Sequence, residues 1–125
     1  MPLARCTPVT FLFTRDREKA KSFYRDVLGV TFVRSDEFAE EFDLNGVPLR
    51  IVPIADHVPS PHTVLGWDVP DVAATVAALK AKGVAFQIYE GFGQDADGIW
   101  EAPEGRTRIA WFLDPDGNNL SLSQD

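Results

Sequence analysis

The chain has 125 residues, of which 45% are hydrophobic and 25% are charged, as is typical of one soluble domain rather than two domains or a disordered segment. Its net charge of −7 makes nucleic acid and anionic membrane surfaces poor candidate partners. No apolar run is long enough to span a bilayer and no export signal is visible at the N-terminus, so we expect a cytoplasmic protein.

The first half of the chain predicts the element order β-α-β-β-β. β-Branched and aromatic residues predict a strand over residues 7–14. Asp16 suits a helix N-cap, and apolar residues at helical spacing follow it until Gly29 ends the helix. Three strands are expected next, the last two joined by a tight turn at Asn45-Gly46: residues 30–34, 38–44 and 47–54.

The second half predicts the same order after a proline-rich connector at residues 56–61. A strand at 63–69 precedes a helix that begins after the N-cap Asp71 and ends at Gly83. Further strands are expected at 84–89, at 106–113 and from the turn at 114–117 to about Ser123. Two tryptophans in these strands, Trp67 and Trp111, are predicted to be core residues.

The loop predicted at residues 91–105 is long enough to be functional. Its aromatic residues Phe92 and Trp100 suit two roles. They are candidates for a lid that stacks on a flat ligand, or for side chains that cover the sheet edge and anchor a dimer contact. The sequence leaves both roles open.

The spacing of key residues indicates an internal duplication. Val9 lies seven residues before Asp16, and Val64 lies seven before Asp71. Both helices are followed by the pattern Gly-Val-x-Phe, at 29–32 and at 83–86. We therefore predict one α+β domain of two βαβββ modules, about 5–55 and 62–125, whose curved mixed sheet surrounds a cleft and carries the helices on its convex face.

The chain resembles the vicinal oxygen chelate superfamily, which includes glyoxalases, extradiol dioxygenases, fosfomycin-resistance enzymes and bleomycin-resistance proteins. Three segments carry the resemblance: residues 16–29, 69–83 and the Asp-Pro-Asp-Gly-Asn turn at 114–118. Enzymes of this superfamily hold a divalent metal through His, Glu or Gln at four strand positions. The resemblance assigns these positions to Val9, Arg50, Val64 and Ser121.

None of these four side chains is a good metal ligand, so no metal cofactor is expected. Cys6 is the only cysteine, which excludes a thiolate cluster within one chain. His62 lies two residues before the third position and is a weak alternative ligand at the rim of the cleft.

Strand alternation and the resemblance together assign a set of side chains to the cleft. Arg50 is its most distinctive member, because a buried guanidinium needs an anionic partner. That partner is either internal, such as Asp68 or one of Glu40-Glu41, or an acidic group of a ligand. The predicted ligand-binding residues are Val9, Phe11, Phe13, Arg50, Val52, Val64, Asp68 and Ser121.

Two functions follow from the resemblance. The first is metal-independent binding of a small, partly apolar molecule with or without an acidic group, as in the bleomycin-resistance proteins. The second is a divalent-metal-dependent lyase, isomerase or dioxygenase of the glyoxalase type. The sequence does not decide whether the protein is an enzyme, and no catalytic residue is assigned. The resemblance also implies a homodimer, and the net charge of −7 leaves neither nucleic acid nor a membrane as an expected partner.

Overall fold

The computed structural model describes residues 2–125 and divides the chain into two compact units. The boundary lies between Val58 and Pro59, inside the predicted connector at 56–61. We call the unit before the boundary module one and the unit after it module two. Within residues 2–125, no helix is both long enough and apolar enough to cross a membrane.

Module one contains a four-stranded mixed sheet and one α-helix. Its elements are β1 (Thr10–Thr14), α1 (Arg17–Ser22), β2 (Thr31–Ser35), β3 (Glu40–Leu44) and β4 (Val47–Pro53). The strand order is β1-β4-β3-β2, with β1 parallel to β4 and the other pairs antiparallel. Asn45 and Gly46 both have positive φ, 52° and 99°, which is the backbone geometry of the tight turn predicted between β3 and β4.

The helix of module one differs from the prediction in its second half. The carboxylate of Asp16 accepts a hydrogen bond from the Lys19 backbone N–H at 3.1 Å, as expected of an N-cap. The α-helix ends at Ser22, however, and a π-helical turn follows at Phe23–Val27. The wider turn is seen in the Leu28 N–H, which donates to the Phe23 carbonyl five residues earlier.

Module two repeats this topology. Its elements are β5 (Thr63–Asp68), α2 (Val72–Ala81), β6 (Trp100–Glu101), β7 (Arg108–Leu113) and β8 (Asn119–Gln124). The strand order is β5-β8-β7-β6, with β5 parallel to β8. Asp71 caps α2 by accepting from the Ala74 N–H at 3.0 Å. The two modules therefore have the βαβββ organisation predicted from the duplication.

The Gly-Val-x-Phe repeat occupies equivalent places in the two modules. Phe32 pairs with Phe42 on β3, and Phe86 pairs with Phe112 on β7. In both pairs the ring centroids lie 5.4 Å apart. The repeat thus forms the same aromatic contact in each module.

The prediction of a strand at 84–89 is wrong, because this segment forms only a single bridge to the sheet. Only Phe86 forms a bridge, and the backbone N–H of Tyr89 donates to the Gln94 side chain at 2.7 Å instead of to a strand. The sheet edge is formed by β6, which lies in the segment predicted to be a loop. Trp100 therefore belongs to a strand, opposite Ile109.

Alternation along the strands gives each sheet a covered face and an open face. The covered faces carry the buried side chains and the helices. We define the covered face of module one by Leu12, Phe42, Leu49 and Ile51, and that of module two by Ala110, Phe112, Leu120 and Leu122. The open faces carry the side chains that alternate with these. We define them by Phe11, Phe13, Glu41, Arg50 and Val52 in module one and by Gly66, Asp68, Trp111, Ser121 and Ser123 in module two.

Candidate functional site

The predicted ligand-binding residues of module one share its open face. Phe11 lies opposite Arg50 and Phe13 lies opposite Val52 in the parallel β1–β4 pair. Val9 immediately precedes β1 and is 47% exposed, and Phe11 is 54% exposed. The structure therefore places these apolar side chains at the surface of module one rather than in its core.

Arg50 has internal anionic partners. Its guanidinium donates to Glu41 at 2.9 Å and to Asp36 at 3.1 Å. Arg34 pairs with the same Glu41 oxygen at 3.0 Å. Of the internal partners considered from the sequence, Glu41 is present, whereas Glu40 points to the opposite face of β3 and Asp36 was not anticipated. Two arginines and two carboxylates thus form a balanced charge cluster.

Asp36 accepts hydrogen bonds from two backbone N–H groups as well as from Arg50. The Phe38 N–H, the Arg50 guanidinium and the Ala39 N–H, in that order, lower the pKa of Asp36 below its ordinary value of 3.8. Because the pKa is lower in the folded state, the ionised carboxylate stabilises the fold above about pH 4, and this contribution is lost as the pH falls through the folded pKa.

We expect Arg50→Gln to raise the pKa of Asp36 towards its ordinary value without reaching it. The neutral amide removes the charge of Arg50, while the hydrogen bonds from Phe38 and Ala39 remain. The measurement is an NMR titration of the Asp36 side-chain carbonyl carbon in both proteins. An unchanged midpoint in the variant would show that Arg50 does not act on this carboxyl.

The predicted residues of module two also share an open face. Gly66 lies opposite Ser121 and Asp68 opposite Ser123. A Cβ at Gly66 would lie 2.5 Å from the Ser121 Oγ, so glycine leaves room for the Ser121 side chain. Val64 is 47% exposed and Asp68 is exposed.

A cavity of about 290 Å³ opens on this face. Three aromatic rings form its apolar wall: Trp111 on β7, with Tyr89 and Phe92 each 5.7 Å from it in edge-to-face contacts. The ring of Phe92 also lies 5.7 Å from that of Tyr89. Trp111 therefore forms part of the cavity wall, and the prediction that it is a core residue is wrong. Trp67 lies on the covered face of β5.

Polar side chains line the opposite part of the cavity. Asn119 is buried; its amide nitrogen donates to the Tyr89 hydroxyl at 2.9 Å and its amide oxygen accepts from the Thr63 hydroxyl at 3.0 Å. His62 lies at the rim and is exposed, and its backbone N–H donates to the Ser60 hydroxyl at 3.0 Å. An apolar wall with a few convergent polar groups is the usual composition of a small-molecule site.

The two candidate lid residues occupy different environments. Phe92 stands between Gly91 and Gly93, which both have positive φ, and its ring reaches the cavity. The Gln94 side chain fixes the next residues, because it accepts from the Tyr89 N–H and donates to the Gln87 and Gly98 carbonyls. Trp100 lies in β6 and does not line this cavity.

Comparison with known proteins places the chain in a family. The profile of the Glyoxalase/Bleomycin resistance protein/Dioxygenase superfamily matches residues 4–122. The chain belongs to this superfamily. No curated protein sequence matches it significantly.

Solved structures share the fold at low sequence identity. A superfamily member from Sphaerobacter thermophilus has a TM-score of 0.76 at 20% identity, with all of both chains covered. The genomically encoded fosfomycin resistance protein FosX from Listeria monocytogenes has a TM-score of 0.76 at 15% identity, covering 98% of this chain and 95% of its own. A lactoylglutathione lyase from Agrobacterium tumefaciens has a TM-score of 0.72 at 18% identity, covering 96% and 93%.

The side chains at the four superfamily metal positions do not fit a divalent ion. Arg50 lies opposite Phe11 in module one, and Ser121 lies opposite Gly66 in module two, so the two residues hold equivalent positions in their sheets. Arg50 is a cation already held by carboxylates, and the valines at positions 9 and 64 have no donor atom. Within residues 2–125, no group of three or more His, Cys, Asp or Glu side chains is arranged to bind a metal ion.

Trp111 and Tyr89, two of the aromatic walls of the cavity, were not predicted to be site residues. Trp111 lies in the run Arg-Ile-Ala-Trp-Phe-Leu, whose mostly apolar residues do not show which of them face the helix. The sequence predicts Tyr89 to lie in a strand, at 84–89. The glutamine five residues later was the available signal, since a side-chain amide can replace a strand partner for a backbone N–H.

Proposed function

We propose that this superfamily member binds a small, partly apolar molecule on the open face of module two without a catalytic metal. The aromatic cavity formed by Tyr89, Phe92 and Trp111 is the observation that carries the proposal. Its volume of about 290 Å³ suits a ligand of one or two rings. The metal-dependent enzyme remains the alternative, and the donor-poor side chains at positions 9, 50, 64 and 121 argue against it.

The proposed ligand does not need an acidic group. Arg50 was the residue expected to attract one, and its charge is balanced by Glu41 and Asp36. An acid would have to displace one of these carboxylates, at the cost of its hydrogen bonds. The homodimer and the cytoplasmic location stay predictions.

Indane, a rigid apolar two-ring molecule, is a suitable probe of the cavity. We expect its titration into isotope-labelled protein to shift the indole N–H resonance of Trp111 more than those of Trp67 and Trp100. Phe92→Ala should weaken indane binding about tenfold, because it removes one apolar wall whose burial is worth roughly 1.5 kcal/mol.

Phe38→Ala is the matched control for this experiment. Phe38 is an exposed phenylalanine of module one, at 68% exposure compared with 51% for Phe92, so its removal should leave indane binding unchanged. Equal affinities of wild type and Phe92→Ala, or no binding by wild type, would contradict the proposed function.

A further inference from the structure

We propose that the Tyr89 hydroxyl donates a hydrogen bond to a neutral carbonyl oxygen of the bound molecule, and that Asn119 positions this hydroxyl. The inference rests on the proposed function of the cavity and names the class of ligand. That class is a flat, apolar ring system that carries a ketone or amide carbonyl.

The hydrogen bonds of Asn119 determine which end of its amide faces Tyr89. One amide end lies 3.4 Å from the Pro61 carbonyl oxygen, which can only accept, so this end is the nitrogen. The same nitrogen lies 2.9 Å from the Tyr89 hydroxyl. The other end is the oxygen, which accepts from the Thr63 hydroxyl. The Tyr89 oxygen is therefore an acceptor in this pair.

An accepting Tyr89 oxygen leaves the phenolic proton for another partner. Among residues 2–125, no side chain or carbonyl accepts that proton, and Tyr89 lines the cavity. Asn119, in contrast, is buried and has both ends of its amide bonded. The hydroxyl is thus a donor that an acceptor atom of a ligand in the cavity can use.

The position of this donor is fixed before any ligand binds. The ring of Tyr89 packs against Trp111 and Phe92, and its backbone N–H is held by Gln94 at 2.7 Å. Asn119 holds the hydroxyl at the other end of the ring. A donor that is held in place loses little entropy when it binds an acceptor.

The charge of the cavity favours a neutral acceptor over a carboxylate. Glu90 lines the same cavity, and the chain carries a net charge of −7. A ligand carboxylate would meet this like charge. A ketone or amide oxygen accepts the same hydrogen bond without that repulsion.

The test compares 1-indanone with indane, which differ only by the carbonyl group. We expect wild type to bind 1-indanone about three- to tenfold more tightly, the net effect of one hydrogen bond. Tyr89→Phe removes the hydroxyl and keeps the ring, so its affinity for 1-indanone relative to indane should fall and the preference for 1-indanone should be lost. Asn119→Ala should reduce the preference part of the way.

The outcomes separate this inference from the proposed function. If indane binds but wild type shows no preference for 1-indanone, or if Tyr89→Phe keeps the preference, the inference is overturned and the proposed function stands. If neither probe binds wild type, both fall. The carbonyl stretch of bound 1-indanone gives a second measurement on wild type alone: a shift to lower frequency than in water-free solvent supports the hydrogen bond, and an unshifted band overturns it.

Discussion

Phe42→Ala is expected to lower the free energy of unfolding of the protein by about 3–5 kcal/mol. Phe42 is completely buried on the covered face of module one, where its ring lies 5.4 Å from Phe32 and 6.0 Å from Tyr24. Alanine would leave a cavity among rigid rings that cannot close around it. Urea denaturation followed by circular dichroism measures the loss.

Phe112→Ala gives the corresponding test in module two. Phe112 is also completely buried and holds the same position opposite a Gly-Val-x-Phe phenylalanine. We expect a loss of the same size, about 3–5 kcal/mol, if the two modules use their repeated residues in the same way. Phe38→Ala, at an exposed position, should change stability by less than about 0.5 kcal/mol. A loss at Phe42 no larger than at Phe38 would contradict the assignment of the core.

Arg17→Ala is expected to cost about 3 kcal/mol, because it leaves a buried carboxylate without its main partner. Glu40 is only 4% exposed, and Arg17 Nε donates to it at 2.8 Å. The Ser35 hydroxyl would remain as a donor, and Lys21 lies 4.0 Å away. Thermal and urea unfolding of wild type and variant measure the cost.

Arg25→Ala is the control for Arg17→Ala. Arg25 also pairs with an acid, Asp26 at 2.8 Å, but both side chains are exposed to solvent. Solvent screens such a pair, so this variant should unfold like wild type. Equal losses in the two variants would show that burial of Glu40 does not matter. The double variant Arg17→Ala, Glu40→Gln should recover part of the loss, since it removes the unpaired charge.

The element order was predictable because its signals are local. Asp16 and Asp71 cap their helices as their position before an apolar periodic segment indicates. Gly29 and Gly83 end the helical segments with φ of 72° and 93°, a conformation that favours glycine. The equal spacing of these residues in both halves revealed the duplication, and the superfamily match followed from it.

The open faces of the sheets were predictable only where alternation determines the face of a strand. Phe11 and Phe13 could be assigned because they alternate with Leu12 and Thr14 on a strand that is buried on one side. The same rule places Glu40 and Glu41 on opposite faces of β3. Applied to this strand, it identifies Glu41 as the partner of Arg50.

The remaining contacts depend on backbone paths that local patterns do not encode. Asp36 reaches Arg50 because a bend before β3 turns its carboxylate towards β4, fourteen residues along the chain. Tyr89 reaches Asn119, thirty residues away, only because the segment after Phe86 leaves the sheet. Contacts between residues this far apart in the sequence depend on the whole fold, so the cavity could not be predicted from local patterns.

Binding of indane to metal-free protein tests the central claim most directly. The protein is purified without a histidine tag, its metal content is measured, and indane is titrated with chelator present and then with Zn²⁺, Mn²⁺, Ni²⁺ or Fe²⁺. We expect no stoichiometric ion and the same shift of the Trp111 indole resonance in every titration, because the cavity walls are aromatic and the four superfamily positions carry neither imidazole nor carboxylate ligands. One tightly held ion per chain, or indane binding that requires an ion, would contradict it.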